Sequence, residues 1–178
     1  TSLHRFSESK KAQTILDCLD RGDAVAIISD AGTPAISDPG HRIVRLAMEA
    51  GFRVVPIPGP SSIITALSVS GMDCSTFLYA GFLPRKDAER RAVFEEIAAE
   101  ERTSVFFESS KRLLQSLKIA SELLGSRRMV LMRELTKLHE EILPGTAASL
   151  FETLSQREAL LGEIVLVVEG RQPTGHYM

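Results

Sequence analysis

Apolar residues recur at helical spacing in "SESKKAQTILDCLDRG", where Ala12, Ile15, Leu16 and Leu19 share one face. Ser7 is placed to cap that helix and Gly22 to stop it. A β-branched run, "AVAIIS", follows and predicts a strand. The loop "DAGTPAISDPG" leads into a second helix that runs to about Ala50 and ends at Gly51. "FRVVPI" predicts another strand, closing on "PGPSS", where Ser61 or Ser62 can cap the helix "SIITALSVSG". "TFLYAGF" reads as a strand again. This alternation predicts βαβ units and a mainly parallel sheet.

The rhythm changes after "LPRKDAERR". Residues 83–86 read as an interdomain hinge, or equally as an ordinary loop before a solvated helix start, with Asp87 starting a helix over 87–100. Strand "TSVFFE" precedes a helix with Leu113, Leu117, Ala120 and Leu124 in register, stopped by Gly125. "RMVLMRE" and "HEEILPG" follow one another as strands, which predicts an antiparallel pair and a mixed sheet. Helix "TAASLFETLS" and strand "EIVLVVEG" complete the pattern. The expected division is an N-terminal α/β domain over 1–82, the hinge, a C-terminal mixed-sheet α/β domain over 87–170, and a loose tail over 171–178. The start, "TSLHRF", reads like a strand entered partway through a fold, as in a fragment.

Composition narrows the function. The 178 residues are 44% hydrophobic and 25% charged, as in a globular protein, and can bury a sizeable core. A net charge of −2 argues against nucleic-acid binding by bulk charge, while leaving room for a local basic patch. Cys18 and Cys74 are too few for a disulfide scaffold, so a reducing cytoplasm is expected. No apolar run reaches membrane-spanning length, and no membrane association is expected. His4, His41, His139 and His176 show no ligand spacing with the cysteines, so no metal is expected. The Gly-rich pyrophosphate fingerprint, the P-loop and the nucleophile elbow are absent, and Ser61 has no evident histidine partner.

Four stretches fall at expected carboxyl ends of strands, where open α/β sheets bind ligands: 30–34, 58–62, 108–110 and 134–137. Gly32 and Gly59 let the backbone approach a ligand, although tight turns alone also call for glycine. By themselves these residues indicate a two-part α/β protein with a small-molecule cleft.

The stretches "SDAGTPAISDPG", "VVPIPGPSSIITALSVSG", "YAGFLPRK", "FFESSKRL", "RELTKLHEEILPGT" and "GEIVLVVEG" together resemble the ribosomal RNA small-subunit methyltransferase I family, within the tetrapyrrole methylase superfamily. The resemblance covers essentially residues 1–170. It implies two α/β domains with a cofactor cleft between them, usually as a homodimer. It also implies S-adenosylmethionine-dependent 2′-O-methylation of a cytidine ribose in 16S ribosomal RNA of the small subunit. The alternatives are a tetrapyrrole C-methyltransferase and a non-catalytic fragment that only binds or dimerises. The family opens with a strand and a "PTPIGNL"-like loop that this sequence does not carry, so the first domain is expected to lack its leading strand.

Carried over stretch by stretch, the resemblance puts Ala31, Gly32, Thr33 and Ile36 beside the methionine part of the cofactor. Thr33 stands where many tetrapyrrole-methylating relatives have aspartate. Ser61 and Ser62 fall near the cofactor, and Glu108 and Gly145 flank its adenosine. Candidates for removing the ribose proton are Asp30, Glu108, Glu134 and Lys137. Candidates for a phosphate-binding surface are Arg85, Lys86, Arg90, Arg91, Lys111, Arg112, Arg133 and Lys137.

Overall fold

The computed structural model describes residues 2–3 and 8–172. The expected cap Ser7, most of "TSLHRF" and tail residues 173–178 lie outside the described residues. The chain forms two compact units, residues 1–61 and 62–178.

In the first unit, α1 (Glu8–Asp20) turns its inner face on Ala12, which is buried, with Ile15, Leu16 and Leu19 half-buried. Gly22 ends the turn after it at φ +86°. Helix α2 (His41–Glu49) buries Ile43 and Ala47, and Gly51 follows at φ +81°. Its N-terminus is held from α1: Glu8 Oε1 accepts the backbone N–H groups of Gly40 and Arg42, each at 3.0 Å. These are orphan donors of a helix start, satisfied by a carboxylate that also suits the helix dipole.

The two strands expected in this unit, residues 24–29 and 52–57, do not form. Both stretches are irregular, and Val25, Ile28, Val54, Val55 and Ile57 are exposed. The run of β-branched residues is real, but a strand exists only through the ladder of a neighbour. Among the described residues neither stretch has one. Backbone amides at 24–29 and 52–57 are therefore expected to exchange with deuterium orders of magnitude faster than those of the strands in the second unit. Equal protection measured by mass spectrometry would contradict this.

The second unit begins with α3 (Ser62–Ser70) and β1 (Phe77–Phe82), followed by α4 (Asp87–Ala99) and β2 (Thr103–Ser109). Next come α5 (Leu113–Leu124), β3 (Arg128–Arg133), β4 (Glu141–Thr146), α6 (Ala147–Ser155) and β5 (Glu163–Val168). The strands form one sheet in the order β1-β2-β5-β3-β4. Only β1 and β2 run parallel, as one βαβ unit around α4; the other three pairings are antiparallel. The mainly parallel sheet expected from the first half is thus replaced by a mixed one, with β3 and β4 paired antiparallel as expected. Residues 83–86 lie within this unit, where Leu83 is buried and donates its N–H to Phe107 O at 3.0 Å.

Strand periodicity explains the layers. Phe106, Leu131 and Leu166 point to a core with Phe94, Leu113, Leu117 and Leu154, drawn from α4, α5 and α6. Their neighbours Val105, Val130, Val165 and Val167 point the other way, onto Ile63, Ala66 and Leu67 of α3. Strand β5 is covered on both faces, which is why "IVLVV" is continuously apolar. The α5 stripe predicted from sequence, Leu113, Leu117, Ala120 and Leu124, is buried throughout, and Gly125 ends the helix at φ +56°.

At the far edge of the sheet, Glu141 accepts from Arg157 at 2.8 Å and Arg133 at 2.6 Å. Arg157 and then Arg133 hold its carboxyl down at about 2. The folded value lies below the unfolded one, near 4.5, so the pair's stabilisation is fully present above pH 4.5 and lost as pH falls towards 2. Denaturant melts between those pH values should show a smaller acid-side loss in Glu141→Gln than in the wild type. Identical pH slopes would contradict the assignment.

Candidate functional site

The loop "DAGTPAISDPG", residues 30–40, is shaped by its backbone. Gly32 sits at φ +72° and Gly40 at φ +137°, while the non-glycine residues Ala35 and Ser37 adopt φ +68° and +58°. Left-handed backbone at two side-chain-bearing residues costs energy and marks a loop whose shape the surroundings determine. Ser29 Oγ donates to Ala31 O at 2.6 Å and lies 3.3 Å from Gly32 O. Ile36 N–H closes a turn onto Thr33 O at 3.3 Å. Thr33 Oγ1 donates to Pro60 O at 3.1 Å, tying this loop to "PGPSS". The two glycine loops singled out in the sequence are therefore neighbours.

A Cβ built on Gly32 or Gly59 meets no protein atom within 4 Å. The protein leaves open space beside both backbones, as close approach of a ligand requires. Asp30, Ala31, Gly32 and Thr33 are exposed or partly so, and Ile36 presents an exposed apolar side chain. Ser61 and Ser62 are half-buried.

The second unit places its candidates differently. Glu108 is wholly enclosed, its side chain 0% exposed. Its Oε1 accepts from Arg112 Nη2 and from the Ser109 N–H, each at 2.6 Å, and its Oε2 accepts a short bond from Ser116 Oγ. Arg90 Nε lies 4.0 Å from Oε2. The carboxylate is thus taken up by protein donors. Ser116, eight residues beyond Glu108, was not singled out from sequence, although it lies on the buried stripe of α5.

Arg90, expected on a phosphate-binding surface, is instead buried, its side chain 1% exposed. It donates from Nε to Pro84 O at 3.1 Å and from Nη2 to Arg85 O at 2.9 Å, and Nη1 lies 3.3 Å from Asp87. Phe94 and Ile97 bury the same face of α4, and Arg90 points inward with them. Other expected cations are paired. Arg91 bonds Glu122, Lys86 bonds Glu89 at 2.9 Å, and Arg133 bonds Glu141. Arg85 and Lys111 are exposed.

Glu134 and Lys137 are brought together at the end of β3, 3.1 Å apart. Glu134 also accepts the Glu163 N–H at 2.8 Å, and Glu134 and Thr136 adopt φ +52° and +65°. The Glu163 N–H, and then Lys137, hold the Glu134 carboxyl below its ordinary value. Glu134 and then Glu163 raise the Lys137 ammonium above its own. An amine held protonated in this way is a poor proton acceptor. At Gly145 a Cβ would stand 2.6 Å from Ser149 Oγ, inside the Thr146–Ser149 capping box that starts α6. Helix packing by itself therefore calls for glycine at that position.

Among the described residues no group of three or more His, Cys, Asp or Glu is placed to hold a metal ion. No helix there is long and apolar enough to cross a membrane.

Residues 1–150 match the family model of the tetrapyrrole (corrin/porphyrin) methylases. The chain belongs to the tetrapyrrole methylase family. It is 47% identical over 173 residues to the ribosomal RNA small subunit methyltransferase I of Escherichia coli O157:H7, covering 96% of this chain and 60% of the relative. It is 46% identical over 173 residues to the protein of the same name from Mycobacterium tuberculosis (strain CDC 1551 / Oshkosh), covering 97% and 60%. The chain thus spans three-fifths of the length of these relatives.

Among solved structures, the methyltransferase CobJ superposes with a TM-score of 0.67 at 17% identity, over 94% of this chain and 74% of that one. The cobalt precorrin-4 methyltransferase CbiF gives 0.64 at 18% identity, over 94% and 72%. At such identities the likeness speaks for the methylase fold alone.

Proposed function

We propose that the protein containing this chain transfers a methyl group from S-adenosylmethionine to the 2′-hydroxyl of a cytidine ribose in 16S ribosomal RNA of the small subunit. The observation that carries this reading is the near-half identity, over almost the whole chain, to proteins named ribosomal RNA small subunit methyltransferase I.

The first unit's loops fit a cofactor of this kind. Ala31, Gly32, Thr33 and Ile36 would hold the methionine part, with Ser61 and Ser62 nearby. Support comes from the open space beside Gly32 and Gly59 and from the Thr33–Pro60 bond that sets the two loops together. S-adenosylmethionine supplies an electrophilic methyl group on a cationic sulfur. The neutral side chains of these loops suit a charge that vanishes during transfer, and positioning is their main contribution.

Of the four candidates for the ribose proton, Glu108 is enclosed by donors and Glu134 and Lys137 are paired. The reading keeps the exposed Asp30 as acceptor. A pH–rate profile for methyl transfer that is unchanged in Asp30→Asn would rule that role out. Association as a homodimer in the cytoplasm belongs to the same reading, and light scattering of the purified protein tests the dimer.

The discriminating assay offers tritiated S-adenosylmethionine with isolated small subunits, naked 16S RNA or a porphyrinogen. The reading predicts label in RNA, with the subunit preferred. Label in the porphyrinogen alone would favour a tetrapyrrole methyltransferase, and label in none would favour a binding-only role.

A further inference from the structure

Strands β1 and β2 are parallel neighbours, with Phe82 opposite Phe107, so the loops leaving their carboxyl ends emerge side by side. The first loop carries Arg85 and the second Lys111, both exposed. Between them lies a buried ionic cluster. Arg90 donates to the carbonyls of Pro84 and Arg85 in the first loop. Glu108, 4.0 Å from Arg90, accepts from Ser109 N–H and Arg112 in the second. Arg90 Nη1 and Arg112 Nε are buried without a hydrogen-bond partner. Burying the Arg90 guanidinium and the Glu108 carboxylate is costly, and well-packed apolar residues often serve stability as well or better. A cluster of this kind can fix geometry rather than add stability, and what it ties together here is two cation-bearing loops.

We infer that Arg90 and Glu108 are positioning residues that clamp the loops after β1 and β2 so that Arg85 and Lys111 present a preset pair of charges to an RNA phosphate backbone. This rests on the proposed RNA substrate. Phosphate contacts set the register of a bound nucleic acid, so their spacing matters as well as their number. Arg85 and Lys111 touch the RNA; Arg90 and Glu108 act through them.

Charge counting and positioning make opposite predictions. Arg90→Lys keeps the net charge but loses the forked donation to two carbonyls, because an ammonium is a compact point charge. Glu108→Gln removes a negative charge beside the loops, which by charge alone tightens RNA binding.

The test measures fluorescence anisotropy of a labelled single-stranded 16S RNA fragment over a salt series, with the intact protein. Thermal melts select a temperature at which each variant is folded. The double variant Arg85→Ala/Lys111→Ala should lower the slope of log K against log salt by about 1.4, two contacts at about 0.7 each. Arg90→Lys and Glu108→Gln should both weaken binding by about threefold or more, with a shallower slope. Unchanged affinity in Arg90→Lys, or tighter binding in Glu108→Gln, would overturn the clamp. If Arg90→Lys does not fold, Glu108→Gln decides by the sign of its change. A wild type that binds neither the fragment nor isolated small subunits would overturn the RNA reading itself and the clamp with it, whereas a binding wild type with unaffected variants overturns the clamp alone.

Discussion

Glu108→Ala is expected to destabilise the second unit by about 3–5 kcal/mol, the cost of stranding a buried charge. Arg90 loses its buried counter-charge and keeps the Pro84 and Arg85 carbonyls and the exposed carboxylate of Asp87, 3.3 Å away. The Arg90 side chain is 1% exposed, lies beside the core residue Phe94 on α4, and cannot reach water without moving that helix. The Ser116 hydroxyl, 0% exposed, loses its acceptor at the same time, and so does the Ser109 N–H. Arg112 suffers less. Its side chain is 26% exposed and can turn to solvent, whereas Arg112→Ala takes the 2.6 Å cation from the enclosed Glu108 carboxylate and should be destabilising as well. Urea unfolding followed by circular dichroism measures both. A Glu108→Ala loss below about 1 kcal/mol would mean the cluster is better hydrated than its enclosure indicates.

Gly32→Val is expected to lower affinity for S-adenosylhomocysteine by about a hundredfold or more, the scale of losing several close backbone contacts. The change has two physical parts. A β-branched residue at φ +72° carries backbone strain of about 1–3 kcal/mol wherever it occurs. The side chain also enters space that no protein atom occupies, and therefore the space of any ligand held against that backbone. Gly51→Val separates the parts, because Gly51 has φ +81° and the same emptiness around its Cβ, but follows the C-terminal end of α2 and is not part of the loop. Both variants should lose similar stability in a thermal melt, and only Gly32→Val should lose heat of binding in a calorimetric titration. Equal affinities in the two variants would place the cofactor elsewhere.

What the sequence made legible depended on whether the deciding interactions are local. The α5 stripe was readable because helical spacing alone puts Leu113, Leu117, Ala120 and Leu124 on one face, and a sheet supplies the cover. The antiparallel turn from β3 to β4 followed from two strands without a helix between them. Residues 24–29 and 52–57 carry equally strong β-branched patterns, yet no strand forms, because pairing is a property of a neighbour and not of the run itself.

The candidate site divides in the same way. The glycine loops at 28–40 and 58–62 could be named from residue types, while the Thr33–Pro60 bond that joins them spans 27 positions and leaves no local mark. Glu8 was passed over because a carboxylate in the first turn of α1 looks like an ordinary surface charge; its task is to cap a different helix. Arg90 follows a run of charged residues and reads as solvated, whereas the rotation of α4 turns it inward beside Phe94. A carboxylate at a strand end reads the same whether it is open, like Asp30, or enclosed, like Glu108.

The most direct measurement is the nucleoside composition of 16S RNA purified from cells in which the gene has been deleted and then restored. The RNA is digested to nucleosides and analysed by mass spectrometry. The account predicts that one 2′-O-methylated cytidine disappears on deletion and returns with the intact gene, and does not return with a Gly32→Val copy expressed at the same level. Unchanged 2′-O-methylcytidine after deletion would contradict it.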